Sequence, residues 1–201
     1  GITAVSTVWG VGDVAVNGVV VDEVSIAGTA GSLLTKVDAI NAISDQTGVR
    51  AETYVTAELG NITFTAQSDK IEINGVVISG GSSLSNLAAA INEESSSTGI
   101  IATVSGQVIQ LQGNTASMTL GYASSATEPT LSAATLVTIQ GTTGAVSAFS
   151  ATSSTFAATG ASTTVYGGLK MTSESGNPIS IELGTAGSAE EHGLSEANSI
   201  G

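Results

Sequence analysis

Apolar residues recur along this chain at two spacings, and the switch from one to the other outlines its elements. Near the start, Val14–Val16 and Val19–Val21 flank Asn17-Gly18. Further on, Ile71, Ile73, Val76 and Ile78 bracket Asn74-Gly75. Asn-Gly is the favoured pair for a two-residue type I′ turn, because both residues tolerate positive φ, so each stretch reads as a hairpin. After each hairpin the spacing becomes helical. Leu33, Val37 and Ile40 fall at i, i+4 and i+7, and Leu84, Leu87, Ala88 and Ile91 at i, i+3, i+4 and i+7. Ser32 is placed to cap the first helix and Ser82-Ser83-Leu84 to start the second, with Gly48 and Gly99 to stop them in the left-handed conformation.

The same plan is therefore written twice. The Asn-Gly pairs lie 57 positions apart (17 to 74), while Ile40-Asn41 matches Ile91-Asn92 and Thr47-Gly48 matches Thr98-Gly99 at an offset of 51 (40 to 91). Such internal repetition dictates the architecture to be sought. Val49–Tyr54 and Asn61–Ala66 read as two strands about a turn near Leu59-Gly60, and Ile100–Val104 and Val108–Gln112 as a hairpin about Ser105-Gly106. Each unit then has two strands, a crossing helix and two more strands. The fold class this predicts is α+β and β-rich: two small antiparallel-sheet units, each with one packed helix, followed by β-hairpins.

Outside the repeats, Ile2–Trp9 alternates as a strand. Gly121–Thr164 is rich in Ala, Ser, Thr and Gly, with short apolar runs at Leu136–Ile139 and Ala145–Phe149. Its composition fits short strands joined by polar loops, and fits partial disorder equally. Tyr166–Thr172 and Ile179–Leu183 flank Ser173–Asn177 as a further hairpin, with Gly176 at positive φ and Pro178 at the strand entrance. Thr185–Gly201 is small and acidic and reads as a frayed end.

Charge narrows the function. Lys36, Arg50, Lys70 and Lys170 stand against 17 acids, a net charge of −13. Neutralising a phosphate backbone needs clustered Lys and Arg, so no nucleic-acid partner is expected. No apolar run approaches the roughly 18 residues of a membrane span, and no membrane partner is expected. The absence of cysteine removes disulfides, thiol catalysis and thiolate metal sites. With 10% charged and 41% hydrophobic residues, the surface must be covered by Ser, Thr, Asn, Gln and Gly, as in an extracellular-type protein. The start at Gly1, without Met or a secretory signal, reads as an excised fragment.

Candidate chemistry is sparse. Asn41 and Asn92 sit at matched positions inside helices, where asparagine is a mediocre former, so their amides are expected to bond a neighbouring strand or loop. His192 follows Glu190-Glu191 in a polar tail and reads as solvated; a general base needs a positioned partner. Glu93-Glu94 are adjacent acids, not a pair held across a cleft. Asp22-Glu23 stands alone and no Asp-x-Asp-x-Asp run exists, so no calcium loop is expected. The reading is no catalytic residue, no cofactor and no metal.

One family carries this order of motifs. Val16-Asn17-Gly18-Val19, Val37-Asp38-Ala39-Ile40-Asn41 and Thr47-Gly48-Val49, repeated as Ile73-Asn74-Gly75-Val76, Ala89-Ala90-Ile91-Asn92 and Thr98-Gly99-Ile100, resemble the flagellin hook IN motif. That motif occurs in the variable outer domains of bacterial flagellins and in some hook-associated proteins. Tyr166-Gly167-Gly168-Leu169 through Ile179-Ser180-Ile181, with His192-Gly193-Leu194 behind, is similar to the stretch leading back to a flagellin's filament core. The two motifs span about half the chain; Gly121–Thr164 matches nothing in the family, and the heptad-rich terminal helices by which flagellins polymerise are not in this sequence.

The resemblance implies the exposed outer part of a filament subunit, located outside the cell on the bacterial flagellum. It would be a structural, antigenic element of motility with no enzymatic role, with Asn17, Gly18, Ile40, Asn41, Gly48, Asn74, Gly75, Ile91, Asn92 and Gly99 as its structural motif. Its partners would be neighbouring flagellin subunits, antibodies and host surfaces, and the isolated fragment would be monomeric. A metallopeptidase insert, carried by some members, requires His-Glu-x-x-His, and one histidine does not supply it. Two alternatives stand beside this reading: a domain of a hook-associated or filament-capping protein, and a carbohydrate- or surface-binding module, which would show aromatics on an exposed face. The expected division is 1–66 with 163–201 as an inner domain and 67–162 as an outer one, because a segment that leaves and rejoins a filament core needs adjoining ends.

Overall fold

A computed structural model describes residues 8–22, 30–64, 70–79, 82–122, 133–137, 153–156 and 162–184. The first hairpin joins β1 (Val14–Val16) to β2 (Val19–Val20), followed by α1 (Ala30–Ala42), a single turn α2 (Ser44–Thr47) and β3 (Val49–Thr63). The second runs β4 (Lys70–Ile73), β5 (Val76–Ser79), α3 (Leu84–Glu93), α4 (Ser95–Thr98), β6 (Ile100–Ser105), β7 (Val108–Gly113) and β8 (Ser117–Tyr122). Then come β9 (Ala133–Val137), β10 (Ser153–Phe156), β11 (Ser162–Tyr166), β12 (Gly168–Ser173) and β13 (Ile181–Leu183). The fold is α+β and β-rich. Its strands pair antiparallel in three sheets, β13-β1-β2, β11-β8-β4-β5 and β10-β9-β3-β7-β6, with β12 also on β3.

Asn17 and Asn74 adopt φ of 50° and 51°, followed by Gly18 and Gly75 at 78° and 83°, the turn geometry their sequence demands. Ser83 caps α3: its Oγ accepts from Asn86 N at 3.2 Å. Ser32 does not stand at the helix start: α1 begins at Ala30 and Ser32 is its third residue. Ala30 favours the helix, and Gly31 costs it only about 1 kcal/mol. Each helix breaks once, at Ile43 and Glu94, before the short turn that ends on left-handed Gly48 and Gly99.

β3 departs most from the reading of Val49–Tyr54 and Asn61–Ala66 as two strands. No turn forms at Leu59-Gly60; one strand of 15 residues, roughly 50 Å long, runs through. Every odd-numbered residue from Val49 to Leu59 is buried, an unbroken period of two that keeps one face of the strand on the core. Gly60 instead marks a shift of register against β9, the usual work of a glycine inside a strand. Val49 and Ala51 belong to one core, with Trp9, Val14, Val16, Leu33 and Ile40. Val55, Ala57 and Leu59 belong to another, with Ile73, Ile78, Leu87, Ile91 and Ile109. β3 is shared by both.

The late hairpin is also corrected. β12 and β13 do not pair with each other: β12 pairs with β3 and β13 with β1. Gly176 does take positive φ, at 74°, but its turn leads across the molecule rather than back along β12. Glu174 N donates to Gly48 O and Ser180 N to Asn17 Oδ1, which carries the chain from one partner to the other.

These pairings repeat the second unit strand for strand. Ala102 faces Leu111 as Ala51 faces Met171, and Ile73 faces Leu120 as Val16 faces Ile181. β12 and β13 are thus the counterparts of β7 and β8. The first unit is closed by strands that arrive only after the whole second unit. The Ile2–Thr7 part of the first strand reading, Ala145–Phe149 and Thr185–Gly201 lie outside the described residues.

Gly167, between β11 and β12, is where this crossing is tightest. A Cβ there would sit 2.6 Å from Tyr54 O and 3.1 Å from Thr115 O, both backbone atoms. At Gly60 the nearest atom is the end of the Val108 side chain, at 3.1 Å. Gly167→Ala is expected to lower unfolding free energy by about 1–3 kcal/mol, the usual cost of overpacking, and Gly60→Ala by clearly less. Urea denaturation of the two variants measures this, and equal losses would contradict it.

Candidate functional site

The residues shared by the two motifs converge into two matching hydrogen-bonded clasps. Asn41 Nδ2 donates to Ala51 O at 2.9 Å, and Ala51 N donates to Asn41 Oδ1 at 2.8 Å. Asn92 does the same for Ala102, at 2.9 and 2.7 Å. A primary amide carries a donor and an acceptor side by side, as an extended residue's backbone does. Each asparagine therefore stands in for one residue of a missing neighbour strand. For β6, the last strand of its sheet, this covers the middle of an open edge.

The turn asparagines add a second contact. Asn17 Nδ2 donates to Thr47 O at 2.8 Å while its Oδ1 accepts from Ser180 N at 2.8 Å. Asn74 Nδ2 donates to Thr98 O and its Oδ1 accepts from Thr119 N, again at 2.8 Å. Thr47 O and Thr98 O lie at helix ends, where carbonyls have no partner within the helix. One side chain thus ties hairpin, helix end and closing strand together. Thr47 and Thr98 complete the clasp: Thr47 Oγ1 donates to Ile43 O and accepts from Val49 N, and Thr98 Oγ1 donates to Glu94 O and accepts from Ile100 N. Ile40 and Ile91, beside the helical asparagines, are fully buried. Gly18, Gly48, Gly75 and Gly99 supply positive φ at the four bends.

The clasp threonines were missed as site residues, although Thr-Gly recurs at both helix ends. Lys36 was missed as well. It holds the place that Leu87 holds in the second unit, and it is as fully buried as that leucine. Its Nζ lies 5.1 Å from the centre of the Trp9 ring, which is also buried. A cation over an indole face is attracted to it, and that offsets part of the desolvation cost. Burial still pushes the Lys36 ammonium down from 10.5 to about 8. The signal was available: lysine in an apolar stripe, opposite leucine in the other copy.

Among the described residues, no three His, Cys, Asp or Glu side chains gather where a metal ion would bind. Glu93, Glu94 and Asp22 are exposed, while Glu23, Glu190, Glu191 and His192 lie outside the described residues. On the outer face of β3, Lys170 pairs with Glu52 at 2.7 Å and Arg50 with Glu174. Both pairs are well exposed, so each adds little. What this constellation can do chemically is hold strands and helix ends in register.

Asn92→Ala leaves the N–H and C=O of Ala102 unpaired, and the variant is expected to lose about 1–3 kcal/mol of stability. Asn92→Asp should lose a similar amount, because a carboxylate oxygen then faces Ala102 O. An unchanged melting temperature in both variants would contradict the clasp. For Lys36 the sign follows from its lowered pKa. Below pH 8 it is charged in folded and unfolded chains alike, and burial of that charge costs stability. Between about 8 and 10.5 the folded state holds fewer protons, so stability rises with pH relative to Lys36→Met. Urea titrations of both proteins at pH 7, 9 and 10 test this; a constant difference would refute it.

The sequence matches no protein-family model, and no curated protein matches it.

Proposed function

We propose that this chain is the surface-exposed outer part of a bacterial filament subunit of the flagellin type. It is a structural module without catalysis, displayed outside the cell. The observation that carries this reading is the meeting of the two ends of the described chain. β13 pairs with β1, and Gly184 N donates to Asp13 O at 2.7 Å. The first and last described strands therefore lie side by side, which suits a segment that leaves a filament core and returns to it.

In this reading 1–66 with 163–201 forms the inner part, near the filament, and 67–162 the outer part. Two separate cores support an inner and an outer part, but Val55, Ala57, Leu59 and Val165 pack into the second core, so the boundary between the cores falls on β3 between Ala51 and Val55 rather than at residue 66. The net charge of −13 keeps neighbouring subunits from sticking sheet to sheet, which matters for a β-rich object with open edges. Neighbouring subunits, antibodies and host surfaces are its partners.

Antibodies raised against the purified chain, applied with gold to cells of the source organism, test the reading by electron microscopy. Gold along the whole length of the flagellar filament is the expected result. Gold confined to the hook junction or filament tip would move the chain to a hook-associated or capping protein and overturn the proposal. Unlabelled filaments would overturn it as well.

A further inference from the structure

The second unit enters the first at one defined place, and the second unit has the same place. Tyr54 faces Gly168 where β3 and β12 open to admit the intervening chain. The corresponding pair is Ser105 facing Val108, where β6 and β7 are joined by nothing more than Gly106-Gln107. The match is one of register: Tyr54 stands to Ala51 as Ser105 stands to Ala102, and each alanine is held by its helical asparagine. In the first unit that opening passes an entire folded unit while helix, clasp and closing strands stay in place. From these correspondences we infer that the Gly106-Gln107 turn is an insertion port, able to carry a further folded domain whose ends adjoin.

Local geometry agrees. Ser105, Gly106 and Gln107 are all exposed, and a Cβ on Gly106 would meet nothing within 4 Å. The other two-residue turns are different in kind, because Asn17 and Asn74 each tie their turn to a helix end and a closing strand. Position agrees too. Val108 packs over Gly60, which is roughly 36 Å along β3 from Val49 at about 3.3 Å per residue. The port therefore opens at the end of the second unit far from where β1 and β13 meet. A domain carried there is displayed away from whatever the chain is attached to. This holds whether or not the attachment is a filament.

The test is insertion of a monomeric fluorescent protein, whose ends adjoin, between Gly106 and Gln107, with the same insertion between Asn74 and Gly75 as the contrast. A flexible ten-residue Gly/Ser segment is placed at both sites as a second pair. Calorimetry on the full chain should show its own unfolding transition within about 3 °C of the parent for both inserts at 106–107, since loop closure grows only slowly with length. At 74–75 both inserts should lower the transition by more than about 10 °C or abolish it, through loss of the clasp. Loss of the transition with the folded insert at 106–107 overturns the inference, even if the flexible segment is tolerated. Equal shifts at the two sites overturn it also.

Discussion

An antiparallel strand at the margin of a sheet turns alternate N–H and C=O groups outward, and each must find a partner or stay in water. This constraint organises the molecule. In both units a helix crosses the sheet beside such a margin, and an asparagine on that helix supplies the missing amide pair to Ala51 or Ala102. The bond fixes more than an edge. It sets how far along the strand the helix lies, and thereby which apolar residues meet beneath it. Asparagine is a poor helix former, by several tenths of a kcal/mol relative to alanine. Two well-formed hydrogen bonds, each contributing about 0.5–1.5 kcal/mol net, outweigh that cost.

The turn asparagines extend the same logic into three dimensions. Asn17 and Asn74 occupy the left-handed region that a type I′ turn requires, and the turn aims their amides at a helix end. Their oxygens meanwhile prolong the ladder to the closing strand. A single residue type at two positions per unit thus secures hairpin, helix and closing strand. Apolar burial supplies most of the free energy, at roughly 1.5–3 kcal/mol for each fully buried Ile or Leu. The asparagines decide the one arrangement in which that burial occurs.

Splitting the first unit around the second has a mechanical consequence. Val49–Thr63 contributes to both cores without a break, so neither can rotate about a linker at that strand. The only other described crossing, at Gly167, is packed against the backbone of Tyr54, Thr115 and Ala116. Buried Lys36 is a local exception to an otherwise apolar plan, tolerated because its stem fills the space that Leu87 fills in the other unit while Trp9 receives its charge. That contact also anchors Trp9, near the start of the described residues, in the first core.

Much of this was legible in the residues alone. Asn-Gly pairs, helical spacings and the glycine stops are local signals, each obeying sterics within a few residues, so both hairpins, both helices and the hairpin about Gly106 could be read off. Ser32 misled because the helix runs on through Gly31 to Ala30, an extension that local propensity does not favour. The closing strands were harder. β12 and β13 do the work of β7 and β8, yet little in Gly168–Leu183 resembles Val108–Tyr122 beyond alternation, because strand pairing uses backbone groups that every residue has. Their partners, more than a hundred residues back, are chosen by which edge remains open once the rest has packed. Local chemistry determined the pieces and their duplication; the continuity of β3, the burial of Lys36 and the closing of the first unit by distant strands were settled only by tertiary competition for edges and core volume.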